Sequence, residues 1–155
     1  MGISSNTQFV STYDVLPLKN SLLTMFSTQS PNDGSLGYSG PPISATGSDT
    51  YICWTLIGAH NYYMFTGDLD FVQTVWANYT KAVAFLEGQV DGTGLLEVNP
   101  NFANDWGRDN AGGHNSVANA LLYKVNFLSR AENNMLPVLT QLCRPCLIVP
   151  TSLRS

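Results

Sequence analysis

Charge of either sign is scarce in this sequence: its 155 residues hold seven Lys or Arg and eleven Asp or Glu, a net charge of −4. The seven basic residues form no cluster. A polyanion needs clustered Lys and Arg to neutralise its phosphates, so nucleic acid is not an expected partner. Cysteine is also rare. Cys53, Cys143 and Cys146 are too few and too unevenly placed for a disulfide framework. "CRPC" at 143–146 has the spacing of half a zinc site with no second pair to follow, and Cys53 lies in an apolar pattern that suits a small core residue. Long apolar runs are missing as well. "ICWTLIGAHNYYMF" is interrupted by Gly58, His60 and Asn61 well short of the roughly 18 residues a bilayer span requires, so no membrane segment is expected. "MGISSNTQFV" lacks the charged start and apolar stretch of an export signal. Strand-like alternation, a phosphate-binding glycine loop and a "GxSxG" elbow are absent too.

What is present is apolar bulk, 44% of the residues, and helical periodicity. The length suits about one domain. Residues 49–66 are apolar nearly all round, with Ser48 to cap the start and Gly67 to take the left-handed stop, which predicts a helix buried between others. Residues 69–88, opened by Asp68, carry one stripe through Val72, Val75, Trp76, Tyr79, Val83 and Leu86, which predicts an outer helix. Asn115 caps a third pattern over 116–132, and a weaker one covers 14–28 with Pro17 in its first turn. Asn78 begins an "NYT" glycosylation acceptor on the polar side of the second helix.

Two long loops, 27–47 and 90–114, separate these helices. Loops beyond ~12–15 residues are uncommon in compact domains unless they carry function. The alternation of long loop, inner helix, outer helix and long loop predicts an all-α fold, a toroid of stacked helical hairpins with its loops at one end. The second loop holds "NDWGRDN", where Asp105, Arg108 and Asp109 surround Trp106. An aromatic face beside carboxylates and a guanidinium is what a neutral sugar needs, because the ring stacks while the polar groups bind hydroxyls. The competing reading makes Asp105 and Asp109 turn caps, Arg108 their ion-pair partner and Trp106 a plug on the core. A calcium loop is not expected, since its sixth-position Gly and terminal Glu are replaced by Asn110 and Ser116. His60 and His114 read as hydrogen-bonded helix or loop residues rather than ligands, so no metal or other cofactor is expected.

The stretches "LGYSGPPISATGSDTYICWTLIGAHNYYMFTGDLDFVQTVWANYTKAVAFL", "GLLEV" and "NDWGRDNAGGHNSVANALLYK" resemble the catalytic domain of fungal α-L-rhamnosidase-like proteins, in the six-hairpin glycosidase superfamily. The resemblance covers residues 1–125. It implies an incomplete (α/α)6 toroid and a glycoside hydrolase that removes terminal α-L-rhamnosyl residues by inversion, with one carboxyl as acid and another as base. The family's acid and base motifs have no counterpart here, and Glu87, Glu97 and Glu132 match neither role. The resemblance therefore implies sugar binding without catalysis by these residues alone, the alternative being a non-catalytic carbohydrate-binding or interaction fragment. It places Asp49, Asp105 and Trp106 around the bound sugar, with Trp54 and Arg108 as neighbours. Residues 126–155 diverge from the pattern, and apolar helix faces left without neighbours imply self-association. The family is often secreted, whereas this chain shows no signal, so localisation stays open.

Overall fold

In the computed structural model, residues 2–108 and 111–143 are described, residues 131–143 as helical backbone only. Asp109 and the Arg144–Ser155 stretch, with Cys146 of "CRPC", lie outside the described residues, as do the side chains of Glu132, Leu142 and Cys143.

The fold is helical: α1 (Ser5–Thr12), α2 (Leu16–Ser27), α3 (Asp49–Thr66), α4 (Leu69–Glu87) and α5 (Ser116–Cys143), with a short 3-10 turn at Pro100–Phe102. Among the described residues, β pairing is confined to three isolated bridges. The expected helix limits hold where the sequence supplies a stop signal. Ser48 Oγ accepts from Tyr51 N at 3.3 Å, and Gly67 closes α3 at φ 66°. Asp68 Oδ1 accepts from Phe71 N at 2.9 Å to start α4, and Asn115 Oδ1 accepts from Val117 N and Ala118 N to start α5. Pro17 sits in the first turn of α2. Two features differ from the sequence reading. Helix α1 was not expected, and it buries only Ser5 and Phe9, too little to leave a periodic stripe. Helix α5 runs past the expected 132 to Cys143.

Helix α3 is the hub, touching every other helix and packing most closely on α5. Ile52, Cys53, Leu56 and Ile57 are fully buried, as an all-apolar helix requires, and each such large side chain contributes roughly 1.5–3 kcal/mol when removed from water. Helix α4 buries Val72, Val75, Tyr79 and Leu86, leaves Trp76 and Val83 half-buried, and presents Gln73 and Lys81 to solvent. It is the outer helix anticipated. Asp68 ties three helices at one point: its Oδ2 accepts from Lys19 Nζ at 2.6 Å and from Tyr62 Oη at 2.8 Å while its Oδ1 caps α4. Hydrogen bonding from Lys19, Phe71 N and Tyr62 outweighs desolvation and lowers the Asp68 pKa.

Because α3 and α4 are joined by a short turn, the α2–α3 and α4–α5 loops lie at the same end of the bundle. They are stitched there. Ser48 bridges Ala103, and Asn104 N donates to Gly47 O at 3.1 Å. Asn119 of α5 grips the second loop through both backbone groups of Leu96, accepting from its N at 2.8 Å and donating to its O at 3.0 Å. Leu36 from one loop and Leu96 from the other enter the core.

Removing the α3 cap should have a modest effect. Ser48→Ala deletes one acceptor at a buried helix start and should lower unfolding stability by about 1 kcal/mol in a urea titration. A loss within error would show that the Ser48 hydroxyl is not a working cap.

Candidate functional site

Between the stitched loops and the start of α3 lies an open cavity of about 240 Å³ lined by Tyr38, Tyr51, Asn104, Asp105 and Trp106. Each element brings one part. Tyr38 comes from the first loop, held where its N donates to Ala45 O at 2.8 Å, and Tyr51 comes from the first turn of α3. Their rings stand 5.7 Å apart at 50° and form one aromatic wall. The "NDW" triplet of the second loop supplies the rest of the lining.

Asp105 is pinned. Its Oδ1 accepts from Trp106 N at 2.8 Å and its Oδ2 from Arg108 Nη1 at 2.9 Å. The pair is unequal, because the Asp105 side chain is 8% exposed and that of Arg108 is 48% exposed. A half-exposed ion pair contributes little to stability, so its consequence is orientation. A carboxylate oxygen can accept more than one hydrogen bond, and among the described residues each oxygen of Asp105 accepts one. Arg108 does pair with Asp105, as one reading of the sequence expected. Trp106 departs from that reading: it is 83% exposed and plugs nothing. A bare indole costs apolar surface in water, so the ring stands available for a flat apolar partner.

The other residues implied by the resemblance are elsewhere. Asp49 does not line the cavity. It is fully buried at the first position of α3, its Oδ1 accepts from Gln89 Nε2 at 3.2 Å, and its Oδ2 has no partner among the described residues. Desolvation pushes its pKa up to about 6, against the lowering effect of Gln89. One turn on, burial first and the Asp49 charge second raise the Cys53 pKa far enough to keep it a thiol. Trp54 is half-buried, with Gly2 packed on its backbone and ring so closely that an added Cβ would stand 2.7 Å from the ring. It packs on Gly2, ahead of α1, and lines no part of the cavity.

Asn78 is half-buried at the α2–α4 contact, where its Nδ2 donates to Phe26 O at 3.1 Å and its backbone O accepts from Gln29 Nε2 at 2.8 Å. The nitrogen a glycan would occupy is thus engaged in the folded chain. Tyr38 and Tyr51 were missed as site residues. A tyrosine in the glycine-rich "LGYSG" was a usable signal, whereas Tyr51 looked like one more apolar residue of α3. No helix among the described residues is long and apolar enough to cross a membrane. Compared with known proteins, the chain matches no family model, and no curated protein matches it.

Proposed function

We propose that the Tyr38–Tyr51–Asp105–Trp106 cavity is a subsite for one neutral sugar ring, in an incomplete toroid of the α-L-rhamnosidase-like glycoside hydrolase kind. The chain binds a terminal rhamnosyl unit there and does not cleave it. The observation that carries this reading is the exposed Trp106 ring beside a carboxylate already held in place by Arg108. A stacking face and an oriented acceptor are the two things a pyranose requires. The volume, below the ~300 Å³ of drug-sized pockets, suits a single ring.

Cleavage by inversion needs two carboxyl groups about 6.5–9.5 Å apart on either side of the bond. Among the described residues, Asp105 is the one acid lining the cavity. That favours a non-catalytic role over hydrolysis by these residues alone.

L-rhamnose should quench tryptophan fluorescence saturably and raise the midpoint of the helical melt, since a ligand stabilises the state it binds. Trp106→Ala should weaken that response about tenfold or more, and Trp76→Phe should leave it intact. Absence of saturable quenching would reject the subsite. Release of rhamnose from an aryl rhamnoside by the purified chain, lost in Asp105→Ala, would replace binding with catalysis.

A further inference from the structure

Away from the sugar cavity, the second loop doubles back twice. Val90 bridges Leu96, and Val98 bridges Gly113. Asp91 N donates to Leu95 O and Glu97 N to Gln89 O, each at 3.0 Å, while Val98 and Gly113 exchange both backbone bonds at 2.9 Å. Side chains alternate between faces along such pairings, and opposed residues share a face. Leu96 turns into the core, so Asp91 and Glu97 fall on the outer face, and His114, next after Gly113, falls beside Glu97. The donor atoms of Asp91, Glu97 and His114 all lie within 4.8 Å of one another.

The arrangement is aimed. Asp91 Oδ1 accepts from Thr93 N at 2.8 Å and from Thr93 Oγ1 at 2.6 Å, which fixes the carboxylate and leaves Oδ2 pointing at His114 Nε2, 3.0 Å away. Hydrogen bonds that orient a carboxylate from behind are what a ligand to a metal ordinarily has. Charge is unbalanced as well. Two carboxylates share this spot with one imidazole, and among the described residues no Lys or Arg forms an ion pair with Glu97. A divalent cation would offset both carboxylates and accept the neutral imidazole. Two oxygens and one nitrogen leave a tetrahedral ion one position for water. Calcium, which takes six to eight oxygens, is poorly served by the same three groups. The Asp91 and His114 side chains are 29% and 40% exposed, so an ion can enter from solvent.

We propose that Asp91, Glu97 and His114 form a binding site for one divalent transition-metal ion of the zinc class, fastening the 89–98 hairpin to the segment that enters α5. The three residues match no sequence motif, since their spacings of 6 and 17 positions acquire meaning only through the two bridges.

The test is calorimetric titration with zinc chloride of the Cys143→Ser/Cys146→Ser chain, which removes the "CRPC" thiols as competing ligands. One equivalent should bind, with affinity at least about tenfold lower in both Glu97→Gln and His114→Ala, and zinc should raise the melting midpoint of the parent alone. Glu97 is exposed, so Glu97→Gln tests the site without disturbing the core. No saturable binding up to about 1 mM zinc would overturn the site. Binding lost in His114→Ala but unchanged in Glu97→Gln would also overturn it, reducing it to a solitary surface histidine.

Discussion

Between about pH 4 and about pH 7.5, the Asp49→Asn variant should gain roughly 3 kcal/mol of unfolding stability relative to the parent chain. The carboxyl of Asp49 ionises near 6 in the fold, because burial disfavours its charge, and near 3.9 in the unfolded chain. Below about 4 it is protonated in both states, and the parent has its full stability. As pH rises from there, the unfolded chain releases the proton while the folded chain keeps it, so unfolding becomes easier until the folded carboxyl ionises near 6. Above that, the folded chain carries a buried charge with one accepted bond from Gln89 and an Oδ2 that no other described residue bonds. The size of the effect follows from the roughly two pH units between folded and unfolded ionisation, at about 1.4 kcal/mol for each.

The variant has no proton to lose. At about pH 4 it should be slightly the weaker, by roughly 1 kcal/mol, since its amide nitrogen takes the place of Oδ2 with no acceptor. By about pH 7.5 the order should reverse. Asp33, Asp68 and Asp91 have pKa values lowered by hydrogen bonds, so each adds stability above its unfolded pKa and loses it in acid. These contributions are common to both chains and cancel in the difference. Urea titrations of the two proteins across this range decide the matter: parallel stability curves would mean that Asp49 is ionised in the fold at no cost.

Asp49 also marks where sequence reading reached its limit. Local signals were readable because their physics is local. Ser48 and Gly67, Asp68, and Asn115 act on backbone groups within four residues, and the limits they set are those observed. The stripe of α4 and the all-round apolarity of α3 likewise report each helix's surroundings directly. The fold class was legible for that reason, whereas the complete toroid is a statement about neighbours beyond these helices. Helix α1, with two buried residues, left nothing periodic to see. The site was half legible. Asp105, Trp106 and Arg108 are sequence neighbours and came as a group, but their partners Tyr38 and Tyr51 sit more than fifty positions away. Asp49 was assigned to the sugar by resemblance, yet it answers to Gln89, forty positions on. The Asp91–Glu97–His114 convergence was hidden for a different reason, since it exists only through the pairing of the loop with itself.

That dependence on loop pairing concentrates at Gly47, where Gly47→Ala should cost about 2–4 kcal/mol and weaken the rhamnose response while the helical spectrum survives. Gly47 has φ +97°, a region side chains rarely adopt, and a Cβ there would stand 2.4 Å from Asn101 O and 3.1 Å from Asn104 Nδ2. The nearer obstruction is backbone, so it cannot rotate away. Relief requires the two loops to separate, breaking the Asn104 N to Gly47 O bond and the Ser48–Ala103 bridge. These contacts carry the "NDW" side of the cavity against Tyr38 and Tyr51, so separation should widen the cavity and move Trp106 out of register with the tyrosines. Gly67→Ala is the control. It has φ +66° but nothing within 4 Å of its Cβ, and should cost only about 1 kcal/mol with the sugar response intact. Equal losses in the two variants would mean that backbone conformation alone is at stake. A larger loss at Gly47, together with weakened quenching, would show that the junction between the loops is what assembles the subsite.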